Sequence, residues 1–390
     1  MIYSELGHTG LEVSRLGFGA MRLPMTGEGT HRRVDRELAV PMIHRAFEAG
    51  VNYIDTAVGY CEQDSQRAVG EALVEWRGRI VRRPDVCSAS IGNPIVSTKN
   101  PYYGASEKEW WLNLENSLER LRLEVIDIYN FHGISWKTFR EDIEPRVGGW
   151  MRKAKDSGLI RHICCSFHDT NDALENIVDT SMFESVTLQY NVLDRRLEEG
   201  IAYAHGRGIG VVVMGPVGGG RLGEPSAVLD AMLRGRSRIP ETALRFVLAN
   251  PCVDCAISGM STMEQVEENI AVACDSEHLS PEFMEEIRTH LVKLKNMADL
   301  YCTGCSYCMP CPQGVSIPRI FELYNQARVY DIHQVSRAAY AQIGKVPWEP
   351  GKKADACVEC GECELKCPQR IEIRKQLAAA RRMLADQASE

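Results

Sequence analysis

Between residues 14 and 273 the chain repeats one pattern eight times: a short, largely apolar run, then an amphipathic stretch. The runs fall at 14–20, 52–57, 94–99, 126–131, 161–167, 185–190, 210–214 and 253–258. They are rich in Ile, Val, Tyr and Phe, as strands covered on both faces are. The intervening stretches, at 38–49, 65–76, 107–121, 141–156, 171–178, 197–207, 241–249 and 263–273, carry helical periodicity. In one of them Trp111, Leu114, Leu118 and Leu121 share a face. Gly50, Gly78, Gly158, Gly208 and Pro251 punctuate the ends. Eight strands, each followed by a helix, predict an α/β fold, a parallel (β/α)8 TIM barrel. An open doubly wound sheet would need a G-x-G-x-x-G turn after its first strand. Gly17-Phe18-Gly19 does not continue that way. A hairpin of 2–6 with 12–16 is expected to close the barrel floor.

Barrels of this kind do their chemistry at the C-terminal ends of the strands. Asp55 ends the second run, with Tyr60 in the loop beyond it; Lys99 ends the third, and His132 follows the fourth. Singly, each has a bland reading, as a strand cap, a solvated cation or a half-buried histidine. Together, at the ends of neighbouring strands, they form an acid–base set. A phenol titrates at about 10, and a nearby ammonium favours the phenolate. Asp55 can hold Lys99, and a neutral His132 can donate to a substrate oxygen. Tyr60 can then pass a proton to or from a carbonyl oxygen.

The tail carries different chemistry. Cys302, Cys305, Cys308 and Cys311 precede Pro312; Cys357, Cys360, Cys363 and Cys367 precede Pro368. The second run has the C-x2-C-x2-C-x3-C-P spacing of a [4Fe-4S] ligand set, whose last cysteine serves the neighbouring cluster. The first is one residue tighter at its last step. Two [4Fe-4S] clusters are predicted, with Cys311 and Cys367 crossing over. Zinc is the weaker alternative, since it takes four ligands per ion and gives the prolines no purpose. A disulfide framework belongs to oxidising compartments.

The first residues lack a basic and apolar leader, and no run approaches the roughly 20 apolar residues of a membrane span. A cytoplasmic protein without a membrane partner is expected. The net charge of −8 argues against a nucleic-acid partner. The expected organisation is a barrel over 1–275, a connecting helix over 276–300 opened by Ser280 and Pro281, and a small α-helical ferredoxin-like domain over 301–390. That domain is expected to be helical at 318–344 and 374–387.

In the contexts Asp55-Thr56-Ala57…Tyr60, Ser97-Thr98-Lys99 and Asn130-Phe131-His132-Gly133, the tetrad resembles that of the aldo-keto reductase family. Gln189-Tyr190-Asn191, and Ser258-Gly259-Met260-Ser261 through Glu268-Asn269, agree with it. The first cysteine run resembles the iron–sulfur branch of that family. The resemblance implies an oxidoreductase using NADP or NAD on a small carbonyl or alcohol substrate. Tyr60 would be the general acid, Lys99 and Asp55 would tune it, and His132 would orient the carbonyl. Ser166, Phe167 and His168 would lie near the nicotinamide, and Asn191 towards the substrate mouth. Gln189 would bond the carboxamide, and Tyr190 would stack on the ring. Gly215, Pro216, Gly218 and Gly220 would line the pyrophosphate. Ser258, Met260, Ser261, Gln265, Glu268 and Asn269 would hold the adenosine end.

Three departures stand out. Where the family often places Lys and Arg around the 2′-phosphate, this chain has the uncharged Gly259 and Gln265. That weakens the case for NADP, because a bidentate phosphate grip needs Arg. The loop after Tyr60 opens Cys61-Glu62-Gln63, where a Ser-Glu pair is usual. A polar connection over 82–92 is expected to shape the substrate mouth. The thiols of Cys61, Cys164, Cys165, Cys252 and Cys255 read as inert or packing groups.

A hydride carries two electrons and a [4Fe-4S] cluster takes one. Joining them calls for a flavin, and the chain shows no flavin signature. The clusters are therefore read as structural or as docking an electron-transfer partner protein. The alternatives are a redox-sensing or electron-transfer protein on a barrel scaffold, and an isomerase or epimerase that cycles a bound nicotinamide.

Overall fold

The computed structural model describes residues 1–28, 31–77, 81–82, 90–91, 94–102, 105–233, 238–275, 279–297, 302, 307–346, 349–367 and 370–385. The chain forms two compact units, Met1–Gly219 with Glu241–Leu279, and Gly220–Pro240 with Ser280–Glu390.

The first unit is a closed barrel of eight parallel strands. They are β1 Leu16–Gly19, β2 Tyr53–Asp55, β3 Ile95–Asn100, β4 Ile126–Ile134, β5 Ile160–Phe167, β6 Ser185–Gln189, β7 Gly210–Met214 and β8 Cys255–Gly259. Each pairs with the next in the chain, and β8 returns to β1. The helices that follow them are α1 Arg36–Glu48, α2 Ser65–Trp76, α3 Glu107–Leu121, α4 Gly148–Asp156, α5 Asn171–Asp179, α6 Glu198–Gly206, α7 Ile239–Leu248 and α8 Met263–Cys274. The stretch expected over 141–156 opens as a π-helix, Phe139–Val147, before becoming α4. Pro145 lies inside it and has no N–H to give.

The N-terminal hairpin pairs Tyr3–Glu5 with Glu12–Ser14. Its Leu6 and Val13 pack with Tyr53, Ile128, Cys164, Val212 and Cys255 inside the barrel. Gly7 turns at φ 49°, and a Cβ there would stand 2.3 Å from the Gly210 nitrogen at the start of β7. The hairpin therefore plugs the N-terminal end, leaving the other end for chemistry. Cys164, Cys165 and Cys255 are buried in strands, and burial pushes the Cys164 thiol up to about 12. Trp110 of α3 is buried against the rings of Tyr129 and Trp150, at 6.1 and 6.2 Å.

The second unit is helical: α9 Pro281–Met297, α10 Ile317–Tyr330, α11 Gln334–Gln342 and α12 Ile373–Leu384. The helical stretch expected at 318–344 is broken in two. Asp331 adopts the left-handed conformation at φ 57° and closes α10. Ile320, Phe321, Tyr324, Tyr340, Ile373 and Leu377 form its core, with Cys302, Cys308, Cys311, Cys357 and Cys367 packed against it. Residues 220–240 belong to this unit. The Glu224 carboxylate accepts the backbone N–H groups of Gln334 and Val335 at 2.7 and 3.1 Å, capping α11, and Ser226 Oγ donates to the Tyr330 carbonyl at 2.6 Å. No described helix is long and apolar enough to cross a membrane.

Candidate active site

Strand register brings the tetrad together. Pairing β2 with β3 sets Asp55 beside Ser97, and pairing β3 with β4 sets Lys99 beside Asn130. Lys99 donates to Asp55 Oδ1 and, at 3.1 Å, to the Thr56 carbonyl. Ser97 Oγ donates to Asp55 Oδ2 at 2.9 Å, and Asn130 Nδ2 donates to Ser97 Oγ at 3.0 Å. Asp55 and Lys99 are 2 % and 1 % exposed, so each is the other's counter-ion in a dry site. Burial works against the Lys99 ammonium, but Asp55 and Tyr60 outweigh it and hold it above its ordinary range.

The Lys99 ammonium lies 4.9 Å from the centre of the Tyr60 ring, and the His132 ring stands edge-on to that ring at 6.1 Å. Burial raises the Tyr60 phenol above its ordinary value while Lys99 pulls it down. A phenol lowered by the ammonium was expected; in this site desolvation is the larger effect. Burial, then Lys99 and His168, hold the His132 imidazole down at about 3, so it is neutral. Tyr60 is presented by a turn in which Cys61, Glu62 and Gln63 all have positive φ, of 49°, 55° and 70°. Each costs roughly 1–2 kcal/mol, and the turn is braced. Arg36 Nη1 and Nη2 grip the Asp64 carboxylate at 2.6 and 2.8 Å, and the thiol of Cys61 donates to the Met21 carbonyl at 3.4 Å.

The other residues divide. Ser166 Oγ accepts the Gly133 N–H at 2.7 Å, tying β5 to the irregular register of β4 beside His132. The Gln189 amide lies next to Gly215, where a Cβ would stand 3.6 Å from its Nε2. Asn191 is buried and donates to the Gly215 carbonyl at 3.1 Å, fixing the start of the glycine turn. Tyr190 is not brought to the set. Its ring is 1 % exposed and tilted against Phe246, and its hydroxyl donates to Glu198 at 2.8 Å. Gly215, Gly218, Gly219 and Gly220 all have positive φ, and Pro216 is buried. Beyond β8, Asn269 donates to Ser258 Oγ at 3.1 Å, and the Ser261 N–H donates to Gln265 Oε1 at 2.7 Å. Met260 is buried and Glu268 half-buried. Most of the 82–92 connection lies outside the described residues.

In the second unit, Cys311 lines the same small hollow as Cys357, Cys360 and Cys363. The last cysteine of the first run thus meets the first three of the second. Among the described residues, no three His, Cys, Asp or Glu side chains gather as ligands of one metal ion. Cys305 lies outside the described residues.

A profile of the aldo/keto reductase family matches residues 15–292. The chain belongs to the aldo/keto reductase family. A 4Fe-4S dicluster domain profile matches residues 301–372. Among similar proteins, L-galactose dehydrogenase of Arabidopsis thaliana is 28 % identical over 75 % of this chain and 95 % of its own length. The NADH-specific methylglyoxal reductase of Escherichia coli is 27 % identical over 68 % and 91 %. The solved holo form of the aldo-keto reductase AKR11C1 from Bacillus halodurans is 28 % identical, covers 74 % of this chain and 96 % of its own, and superposes with a TM-score of 0.60.

This aldo/keto reductase also holds groups that the sequence did not single out. Ser97 and Asn130 brace Asp55, a role visible only once register is known. Arg22, just beyond β1, lays its stem over Gly259: a Cβ there would stand 3.3 Å from its Cδ. Its Nη2 lies 3.4 Å from where a Gly219 Cβ would be, and the Ser261 hydroxyl donates to its carbonyl at 2.7 Å. Among the described residues no carboxylate pairs with its guanidinium. An isolated arginine after a strand carries no signal in a single sequence.

Proposed function

We propose that this protein transfers a hydride reversibly between a nicotinamide dinucleotide and a small carbonyl or alcohol substrate. The observation that carries this is the buried Lys99–Asp55 pair beneath Tyr60, with a neutral His132 edge-on to the phenol. The reduced nicotinamide, when bound, would supply the hydride. Tyr60 Oη donates its proton to the carbonyl oxygen during reduction and takes it back during oxidation. Lys99 lowers the cost of the phenolate this leaves, and Asp55 keeps Lys99 charged and aimed. His132 carries no charge near neutral pH, so it orients the carbonyl by hydrogen bonding without competing for the proton.

Gln189, whose amide lies beside Gly215, would bond the carboxamide. The positive-φ glycines from Gly215 to Gly220 admit a diphosphate close to the backbone. Arg22 faces that diphosphate, and Ser258, Ser261, Gln265 and Asn269 hold the adenosine. The uncharged Gly259 and Gln265 favour NADH, in keeping with an NADH-specific relative. The C-terminal unit holds two [4Fe-4S] clusters, one on Cys311, Cys357, Cys360 and Cys363, the other on Cys302, Cys305, Cys308 and Cys367. Titrating anaerobically purified protein with NADH and NADPH, then screening small ketones, sugars and polyols for coenzyme turnover, tests the reading. Failure to bind either coenzyme overturns it.

A further inference from the structure

The glycine turn assigned to the coenzyme diphosphate does not end in the barrel unit. Gly215, Gly218 and Gly219 belong to that unit, but from Gly220 to Pro240 the chain belongs to the cysteine-rich unit. One 3-10 helix, Gly218–Gly223, runs across the change, so the glycines and the stretch that follows share an element. That stretch is tied down repeatedly within the second unit. Arg221 meets Glu322 of α10 at 3.7 Å. Leu222, Leu229 and Leu233 are buried, and the helix Ala227–Leu233 packs on α9. Ser226 is 1 % exposed, and its Oγ accepts the Leu229 N–H at 3.1 Å.

A connecting segment packs wherever it falls, but the bonds of Glu224 and Ser226 are of a particular kind. They meet the two helix ends that flank the break at Asp331. Tyr330 is the last residue of α10, where a carbonyl has no partner within the helix, and Ser226 Oγ donates to it. α11 has no side-chain cap of its own, since His333 at its N-cap makes no such bond; Glu224 supplies the acceptor instead. Each helix then leads to a cysteine run. α10 contributes Ile320, Phe321 and Tyr324 to the core on which Cys302, Cys308 and Cys311 pack. α11 carries Tyr340, whose hydroxyl accepts the N–H of Ala354 at 3.1 Å, just ahead of Cys357.

We propose that Glu224 and Ser226 are positioning residues of the coenzyme site: through them the cysteine-rich unit holds the glycine turn, so that iron occupancy and diphosphate binding strengthen one another. The proposal rests on the coenzyme and cluster assignments made above. A bound cluster fixes the cysteine runs, and with them α10 and α11. The facing ends of these helices hold residues 224–226. Those in turn hold Gly218, Gly219 and Gly220 at φ 61°, 65° and 93°, the conformation that opens their backbone to a diphosphate. Such coupling is reciprocal: the factor by which iron raises diphosphate affinity is the factor by which the diphosphate raises iron affinity. No electron passes between the two sites, and the tetrad takes no part.

Iron content and coenzyme binding are measured first on anaerobically purified holoprotein. Iron-free protein would refute the cluster assignment, and iron-loaded protein that binds neither NADH nor NADPH would refute the coenzyme reading; either takes the proposal with it. A ferrous chelator then challenges the native holoprotein with and without saturating NADH or ADP. Either nucleotide should slow iron loss about fivefold or more. Adenosine, which lacks the diphosphate, should not. Glu224→Ala/Ser226→Ala, at unchanged iron content, should weaken NADH and ADP about fivefold or more, spare adenosine and abolish the protection. Glu224→Gln keeps an acceptor oxygen and should stay close to native. Should the double variant lose iron, Glu224→Ala alone and the protection of the native holoprotein carry the same test. Iron loss at one rate with and without bound nucleotide, or native nucleotide affinity in the iron-loaded double variant, would overturn the proposal.

Discussion

Asp55 and Lys99 ride on adjacent strands, where pairing fixes each in register, and His132 follows on the next strand at its irregularity. Among the described residues, Cys302, Cys308, Cys311, Cys357, Cys360 and Cys367 lie in turns and extended segments of the second unit, while Cys363 sits on a short helix, Glu362–Leu365. The barrel therefore pre-forms its chemistry from its own hydrogen bonds. In the second unit the hollow is bounded by the thiols of Cys311, Cys357, Cys360 and Cys363, and a bound cluster would complete their arrangement. On the proposed reading, one region is assembled by folding, the other by folding plus ligation.

That contrast can be broken most severely at Cys311. Cys311→Ser should remove the same iron as Cys357→Ser, and the double variant should lose no more; iron analysis reads it. Additive losses would mean that the two runs do not share a cluster. Lys99→Met should do the opposite, leaving iron content unchanged while stranding Asp55 as an uncompensated buried charge. A loss of about 3–5 kcal/mol in denaturant unfolding of the barrel is expected. An unchanged midpoint would show that Asp55 finds another partner.

Smaller effects sharpen the barrel side. Arg22→Ala should weaken ADP and NADH binding roughly tenfold while sparing adenosine, the scale of one charged hydrogen bond. Equal losses for all three would place Arg22 away from the diphosphate. A further effect concerns pH. The unfolded chain protonates His132 near its ordinary value, about 6.5, whereas the folded site holds it down at about 3. Below that ordinary value the unfolded state binds more protons, so stability rises with pH and is lost as pH falls through this window. His132→Gln should flatten this part of the stability profile. A profile unchanged by the substitution would mean that the imidazole is not buried neutral.

The eight-fold alternation made the barrel legible, since apolar runs and amphipathic stretches map directly onto strands and helices. The tetrad was legible because strand ends share one face. Other features depend on contacts that a linear reading does not hold. Nothing in residues 220–240 signals that Glu224 caps α11 or that Ser226 meets Tyr330. The break at Asp331 carries no glycine or proline to mark it. Tyr190 sat in the expected motif, but its side chain turns to Glu198 and Phe246.

The central claim is that the barrel tetrad carries the carbonyl chemistry, separately from the clusters. Anaerobic, carbonyl-dependent oxidation of NADH and NADPH by native protein and Tyr60→Phe tests it most directly, with cluster absorbance recorded on the same samples. The account predicts that the native protein turns over, that Tyr60→Phe loses a factor of about 10³ or more, and that both keep the same absorbance. Turnover surviving in Tyr60→Phe, with the clusters intact, would contradict it.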